Sequence, residues 1–178
     1  MSPVIHTLAR LSRAIDTFSE VTGRAIAWLT LLIVLVTFLV VVLRYAFNRG
    51  WIAMQESILF MHALVFLGAA AYTLKRDGHV RVDIFYREMG PKARAWVNLL
   101  GTLFLLMPTG VFIFWISWEY VSVSWSIREA SREAGGLPGV FLLKTLILVM
   151  AGLVLLQGVS ELLRSILTLA GHGLEEED

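Results

Sequence analysis

Four long segments without charged side chains occupy most of this chain, and they limit its possible folds more than any other feature. Residues 25–43, 95–118 and 145–160 carry no charge, and residues 57–74 carry one histidine, His62. A hydrocarbon core of about 30 Å is crossed by roughly 20 helical residues, so each segment fits one crossing. The sequence therefore predicts an all-α membrane protein with four transmembrane helices.

Composition agrees with this class and argues against several others. The chain has 178 residues, of which 57 % are hydrophobic and 16 % charged, whereas soluble domains carry about 25 % charged residues. It has no cysteine, so disulfides, thiolate metal sites and cysteine nucleophiles are ruled out. No glycine-rich phosphate loop, nucleophile-plus-base spacing or long basic run occurs. We expect no enzyme activity, no catalytic or metal-binding residues, no cofactor and no nucleic-acid partner.

The pattern of apolar and charged residues divides a single membrane domain, 1–178, into seven parts. We predict an amphipathic interfacial helix, four transmembrane helices, a short cytoplasmic interfacial segment between the second and third of them, and an acidic tail. In chain order the predicted parts are 1–23 (interfacial helix), 25–46, 52–75, 76–91 (cytoplasmic loop), 92–122, 138–166 and 167–178 (tail).

The N-terminal segment has the periodicity of an amphipathic helix. Its apolar residues recur every three or four positions, at Val4, Leu8, Leu11, Ile15 and Phe18. It carries too many charges to cross a bilayer, so we expect it to lie in the cytoplasmic interface. A short cytosolic helix packed on a partner is the alternative.

Lysine and arginine are distributed unequally between the two sides of the predicted membrane. Ten of the 15 lie on the side that would hold both termini, and six of these ten lie between the apolar segments 57–74 and 95–118. Cytoplasmic segments are enriched in these residues. The sequence therefore predicts that both termini are cytoplasmic.

Two local sequences predict special packing within the spans. Gly68 begins the run Gly-Ala-Ala-Ala near the inner end of span 2, and small residues allow helix backbones to approach closely. We expect a tight helix–helix contact there. Pro108 lies in the middle of span 3, where a missing backbone donor predicts a kink.

Few ionisable residues lie near the spans, and for each of them a functional interpretation competes with a purely structural one. Arg44, Glu56 and Lys144 are all predicted on the outer side, where Glu56 could form a buried ion pair with a cation. In the alternative interpretation, these long side chains extend to the lipid headgroups and form no specific pair. His79 and Asp83 have a spacing of four, which suits a shared metal on a helix, but a metal site requires more ligands.

Several motifs resemble those of one transporter family in order and spacing. They are Arg44-Tyr45, Trp51 followed by Glu56, residues 66–70, residues 75–83 with Pro91, residues 135–138, Lys144 and residues 156–158. The chain resembles the small permease subunit (DctQ-like) of tripartite ATP-independent periplasmic (TRAP) transporters over about residues 25–166. The Gly-His-x-Arg-x-Asp element at 78–83 is the most specific motif. Where the family often has two acidic residues after the tryptophan, this chain has Gln55 and Glu56.

The resemblance implies a division of labour in a bacterial inner membrane. A periplasmic solute-binding protein captures an organic anion, a large permease subunit carries the anion with sodium, and the small subunit is a membrane scaffold. The implied partners are the large subunit, the solute-binding protein and membrane lipids. The residues that we expect to contact a subunit or lipid are Arg44, Trp51, Glu56, Gly68, His79, Arg81, Asp83 and Lys144.

Two other classes of function remain open at the level of sequence. A membrane-anchor subunit of a redox enzyme would use His62 as a haem ligand, although membrane haems commonly take two histidines on facing helices. A small homodimeric exporter would need a titrating group near mid-membrane, for which Glu56 is the candidate.

Overall fold

The computed structural model describes residues 3–79, 86 and 88–171, and this part of the chain is a helical bundle. Its helices are α1 (Pro3–Ala46), α2 (Ile52–Gly68), α3 (Ala70–Lys75), α4 (Pro91–Gly101), a π-helical turn (Thr102–Leu106), α5 (Met107–Ser126) and α6 (Val140–Leu169).

Four helical stretches are long and apolar enough to cross a membrane, which confirms the predicted all-α class with four spans. They are Ile5–Ala46, Ile52–Lys75, Pro91–Ser126 and Val140–Leu169. The second consists of α2 and α3, and the third of α4, the π-helical turn and α5. Residues 80–85 and 87 of the predicted loop at 76–91, and residues 172–178 of the predicted tail at 167–178, lie outside the described residues.

Helix α6 is the centre of the bundle. Helices α1 to α5 all pack against it, and its side chains at Ala151, Gln157, Ser160 and Leu167 are almost completely buried. Small residues on α6 allow the close approach of its neighbours: a Cβ at Gly158 would lie 2.7 Å from Cδ2 of Leu106. The core of this protein is therefore built around one helix rather than between two layers.

Helix α1 runs without interruption through the predicted interfacial segment and the first span. Its 44 residues correspond to about 66 Å, more than twice the thickness of a hydrocarbon core, so one end extends beyond the membrane. No helix boundary exists at residues 23–25, where the sequence pattern suggested one. The only glycine near that position, Gly23, remains helical because it packs closely against another helix.

The N-terminal half of α1 packs mainly through small residues, and among the described side chains Ile15 is the only residue of its predicted apolar stripe that is buried. Ala9, Ser12 and Ser19 are buried, whereas Leu11 and Phe18 are 49 % and 47 % exposed. The predicted apolar face is thus only partly the packed face. The exposed apolar side chains are compatible with the interfacial position that the sequence suggests, and that position stays a prediction.

Glycines determine how closely α1 approaches the second span. A Cβ at Gly68 would lie 2.8 Å from Cδ1 of Ile26, so Gly68 does face α1 as a small residue should. The closest approach is elsewhere, because a Cβ at Gly23 would overlap Cβ and Cγ of Tyr72. The sequence analysis identified the first of these contacts and missed the second.

The irregular backbone expected at Pro108 takes the form of a π-helical turn just before it. The amide of Met107 donates to the carbonyl of Thr102, five residues earlier, instead of the usual four. Proline cannot donate to the preceding turn, and a wider turn before it avoids part of the steric conflict. Gly110, one turn further, packs against Leu155 of α6.

The glycine contacts predict a specific pattern of stability. We expect Gly23→Ala to lower the free energy of unfolding by about 1–3 kcal/mol, because the new methyl group collides with the rigid base of the Tyr72 side chain. Gly152→Ala is the matched control, since a Cβ there meets no atom within 4 Å. Thermal unfolding in detergent measures both, and equal stability of the two variants would contradict this packing.

Candidate functional site

Most polar side chains that bond across helices lie at the two ends of the bundle. One end, called here the termini side, holds the beginning of α1, the end of α3 and the end of α6. The other, the loop side, holds residues 47–51 and 127–139.

On the termini side a buried network joins α1 to α6, and we call it the Gln157 network (Ser12, Asp16, Ser19, Gln157 and Ser160). The hydroxyl of Ser19 donates to Oε1 of Gln157 at 2.6 Å, and Nε2 of Gln157 donates to Oδ1 of Asp16 at 2.8 Å. Ser160 donates to the same carboxylate oxygen at 2.7 Å, and its hydroxyl oxygen lies 2.8 Å from that of Ser12. The donors and acceptors of this buried site satisfy one another.

A carboxylate on α1 binds three cations at the same end. Glu20 accepts from Lys75 at 2.8 Å, from Arg76 at 2.6 Å and from Arg24 at 2.8 Å. Lys75 and Arg76 are at the end of the second span, so this cluster ties α1 to that span. The carboxylate of Glu20 raises the pKa of Arg76 further above the already high value of an arginine.

A third set of bonds on the termini side joins α4 to α6. Arg164 donates to Glu161 at 2.6 Å, and the amide of Asn98 donates to the other oxygen of Glu161 at 3.2 Å. The hydroxyl of Tyr86 donates to Oδ1 of Asn98 at 3.1 Å. Tyr86 belongs to the connection between the second and third spans, so this connection is attached to the bundle at one point at least.

On the loop side, Glu56 holds the connection between α5 and α6. Its carboxylate accepts hydrogen bonds from the hydroxyl of Ser131 and, at 2.6 Å, from the backbone N–H of Leu137. Gly136 leaves the space that this arrangement needs, because a Cβ there would collide with Ser131. Through Glu56 the first turns of α2 fix the position of the loop.

A second loop-side contact joins α5, the loop and α6. Lys144 forms an ion pair with Glu129 and lies 4.0 Å from the centre of the Tyr120 ring, while Ser124 donates to Glu129 at 2.7 Å. Lys144, and then Ser124, hold the pKa of Glu129 below its usual value. Its carboxylate is therefore ionised at neutral pH.

The predicted contact residues are distributed along the bundle and do not form one site. Arg44 and Trp51 are exposed on the loop side, and His79 is exposed on the termini side. Glu56 and Lys144 are on the loop side, but they bind different partners. Arg81 and Asp83 lie outside the described residues. Gly68 faces α1 within the chain.

The proposed ion pair between Glu56 and a cation is not present among the described residues. Glu56 binds an alcohol and a backbone amide instead, and Lys144 is paired with Glu129. The sequence placed these groups at the correct end of the bundle but could not show that a loop would supply closer donors. Neither side chain simply extends to the headgroups without a partner.

Sequence reasoning missed the Gln157 network, although a weak signal for it exists. Ser12, Asp16, Ser19 and Gly23 recur at spacings of four, three and four, which is one face of a helix. That face is small and polar, and its partner residues Gln157 and Ser160 lie on one face of the last span. Hydrophobic periodicity alone instead indicates the face that carries the large apolar side chains.

His62 lies on the outer surface of α2, where its ring contacts Phe66 with centroids 6.3 Å apart. A haem held between helices of this chain would need a ligand that faces the interior. Among the described residues, no group of three or more His, Cys, Asp or Glu side chains is arranged to hold a metal ion.

Comparison with known proteins gives one match. Over residues 33–168, well over half of the chain, the sequence matches the family described as "Tripartite ATP-independent periplasmic transporters, DctQ component". Comparisons with curated proteins and with solved structures each gave no significant match.

The buried network on the termini side can be tested by a double-mutant cycle. We expect Gln157→Leu to lower the free energy of unfolding by about 1–3 kcal/mol, because the partner groups on α1 lose their hydrogen bonds in a buried site. Ser19→Ala should lower the free energy of unfolding by a smaller amount. The double variant should lose clearly less than the sum of the two, since both changes remove one shared bond. Additive losses would mean that this bond does not couple the two helices.

Proposed function

Because this chain belongs to the family of DctQ components of tripartite ATP-independent periplasmic transporters, we propose that it is the static scaffold of such a transporter. The family and the four apolar helices make it the small permease subunit and a multi-pass protein of the inner membrane. In the proposal, the large permease subunit moves against this chain while it imports an organic acid. The energy comes from an ion gradient, in our proposal that of sodium.

One observation carries the proposal: hydrogen bonds and ion pairs fasten the bundle at its ends, while three of its four spans have uncharged middles. A carrier that moves ions usually has ionisable groups or broken helices near the bilayer midplane. Bonds at both ends instead fix the relative positions of the helices. This arrangement suits a rigid support.

Two further parts of the proposal concern orientation and the receptor. We assign the termini side to the cytoplasm, because ten of the 15 lysine and arginine residues belong to it. The loop side then faces the periplasm, and the loop held by Glu56 presents a fixed surface to the solute-binding protein. In the proposal Arg44 and Trp51 at this side, and His79 at the other, contact headgroups or a partner subunit, and the same role is proposed for Arg81 and Asp83.

Reconstitution tests the scaffold role directly. The large permease subunit is first identified by pull-down from native membranes and is then placed in liposomes with and without this chain, together with the solute-binding protein. Uptake of a panel of radiolabelled mono- and dicarboxylates is measured under an inward sodium gradient. We expect uptake only when both membrane subunits are present. Uptake by this chain alone, or equal uptake without it, would refute the proposal.

A further inference from the structure

One face of α2 is left uncovered by the rest of the described chain. Gln55, Leu59, His62 and Phe66 are exposed, and every other residue of α2 is buried or half-buried. Their spacings of four, three and four place them in one line along the helix. We call this line the α2 stripe. Leu59 is 57 % and Phe66 75 % exposed, so the line is open along its length.

The α2 stripe carries a polar ring at the middle of the membrane. The second span runs from Ile52 to Lys75, and His62 lies ten residues after its start and 13 before its end. At 1.5 Å per residue these intervals are about 15 Å and 20 Å, which places the imidazole deep in the hydrocarbon region. Within the described part of the chain its ring nitrogens form no hydrogen bond.

Hydrocarbon cannot satisfy an imidazole at this depth. Lipid tails offer no donor or acceptor, so ionisable side chains within spans almost always face protein or water. The other exposed faces of the bundle behave differently: α1 presents Leu35 and Phe38 there, the π-helical turn presents Leu105, and α5 presents Phe112. Those faces suit lipid, whereas the α2 stripe does not.

We infer that the α2 stripe is the surface on which a transmembrane helix of the large permease subunit docks, with a hydrogen-bonding group placed opposite His62. This inference rests on the proposed function, since it names the surface through which the scaffold holds its partner. Alternating spacings of three and four are those of the seam between two helices that cross at a small angle. Leu59 and Phe66 would supply the apolar contacts and His62 the polar one that fixes register.

A second copy of this chain is a poorer occupant of the stripe. Paired through the same face, it would bring only Leu59, Phe66 and its own His62 to that depth, and one N–H···N bond between the two imidazoles would leave one nitrogen of each ring without a partner. The large subunit, which in the proposal carries substrate and sodium, would have polar groups within the membrane. Its helices therefore offer the chemistry that the imidazole lacks.

Two matched substitutions test the assignment. Leu59→Trp adds bulk to the stripe, and Leu35→Trp adds the same bulk to the exposed face of α1, where the leucine is equally exposed at 55 %. We expect the first to reduce the amount of large subunit that copurifies with this chain by about tenfold, and the second to leave it unchanged. The inference would be overturned if neither variant lost the copurifying large subunit, or if both lost it equally.

A photocrosslinker provides a second measurement that does not depend on disturbing the interface. Placed at position 66 it should react with the large subunit, and placed at position 112 on α5 it should react with lipid. A position-66 product that contains a second copy of this chain, or only lipid, would overturn the inference.

The polar contact and the proposed function can be tested separately. His62→Leu should weaken copurification, whereas a lipid-facing histidine would tolerate leucine without loss, which would count against the docking role. The unaltered chain separates the two proposals. If it recovers the large subunit but the stripe variants behave like their controls, only the docking surface is wrong. If it recovers no large subunit, the scaffold role and the docking surface both fail.

Discussion

The contact between the carboxamide of Gln157 and the polar groups of α1 holds the longest helix of this protein against its central one. In lipid, apolar side chains gain little by leaving the solvent, so packing among apolar helices does not by itself define their register. A buried amide that donates to Asp16 and accepts from Ser19 does define it, because a shift along either helix would leave these groups without partners. Gly23 and Gly158 in turn bring these two helices close to their other neighbours, Tyr72 and Leu106.

The same logic applies at the opposite end of the bundle. Glu56 fixes the loop between α5 and α6, and the pair of Lys144 with Glu129 fixes the first turns of α6 against the end of α5. Each end of the bundle is therefore restrained by its own hydrogen bonds and ion pairs. These restraints also limit the movement of the apolar middle of the helices. A bundle restrained in this way can serve as a support against which another subunit moves. Its uncovered surfaces differ in chemistry, and in the described part of the chain only that of α2 places an ionisable side chain at mid-membrane.

Much of the fold could be predicted from the sequence, because length and apolar composition determine which segments can cross a bilayer. The four spans, the irregular backbone near Pro108 and a close helix contact at Gly68 all follow from local composition, whereas α1 as the partner of Gly68 does not. The TRAP resemblance, based on motifs such as Trp51 with Glu56, was confirmed by the family match. The continuity of α1 could not be seen, because a change from charged to apolar residues does not require a break in a helix.

The partners of individual polar groups were less predictable. A carboxylate such as Glu56 can be satisfied by a cation, a hydroxyl or an amide, and only the three-dimensional position of the loop decides between them. The buried face of the first helix was also obscured, because apart from Ile15 small residues form it. Both cases involve contacts between residues far apart in the chain, which periodicity within one segment does not reveal.

Pulsed electron resonance between paired spin labels would test the rigidity of this bundle most directly. The chain has no native cysteine, so cysteines can be introduced at exposed Leu11 and Ile166 for the termini side, and at exposed Leu39 and Leu142 for the loop side. Distances are measured in the assembled transporter without sodium, with sodium, and with sodium and substrate. A static scaffold requires both distance distributions to stay the same while labels on the large subunit move apart or together. A change in either distribution that follows the transport cycle would contradict it.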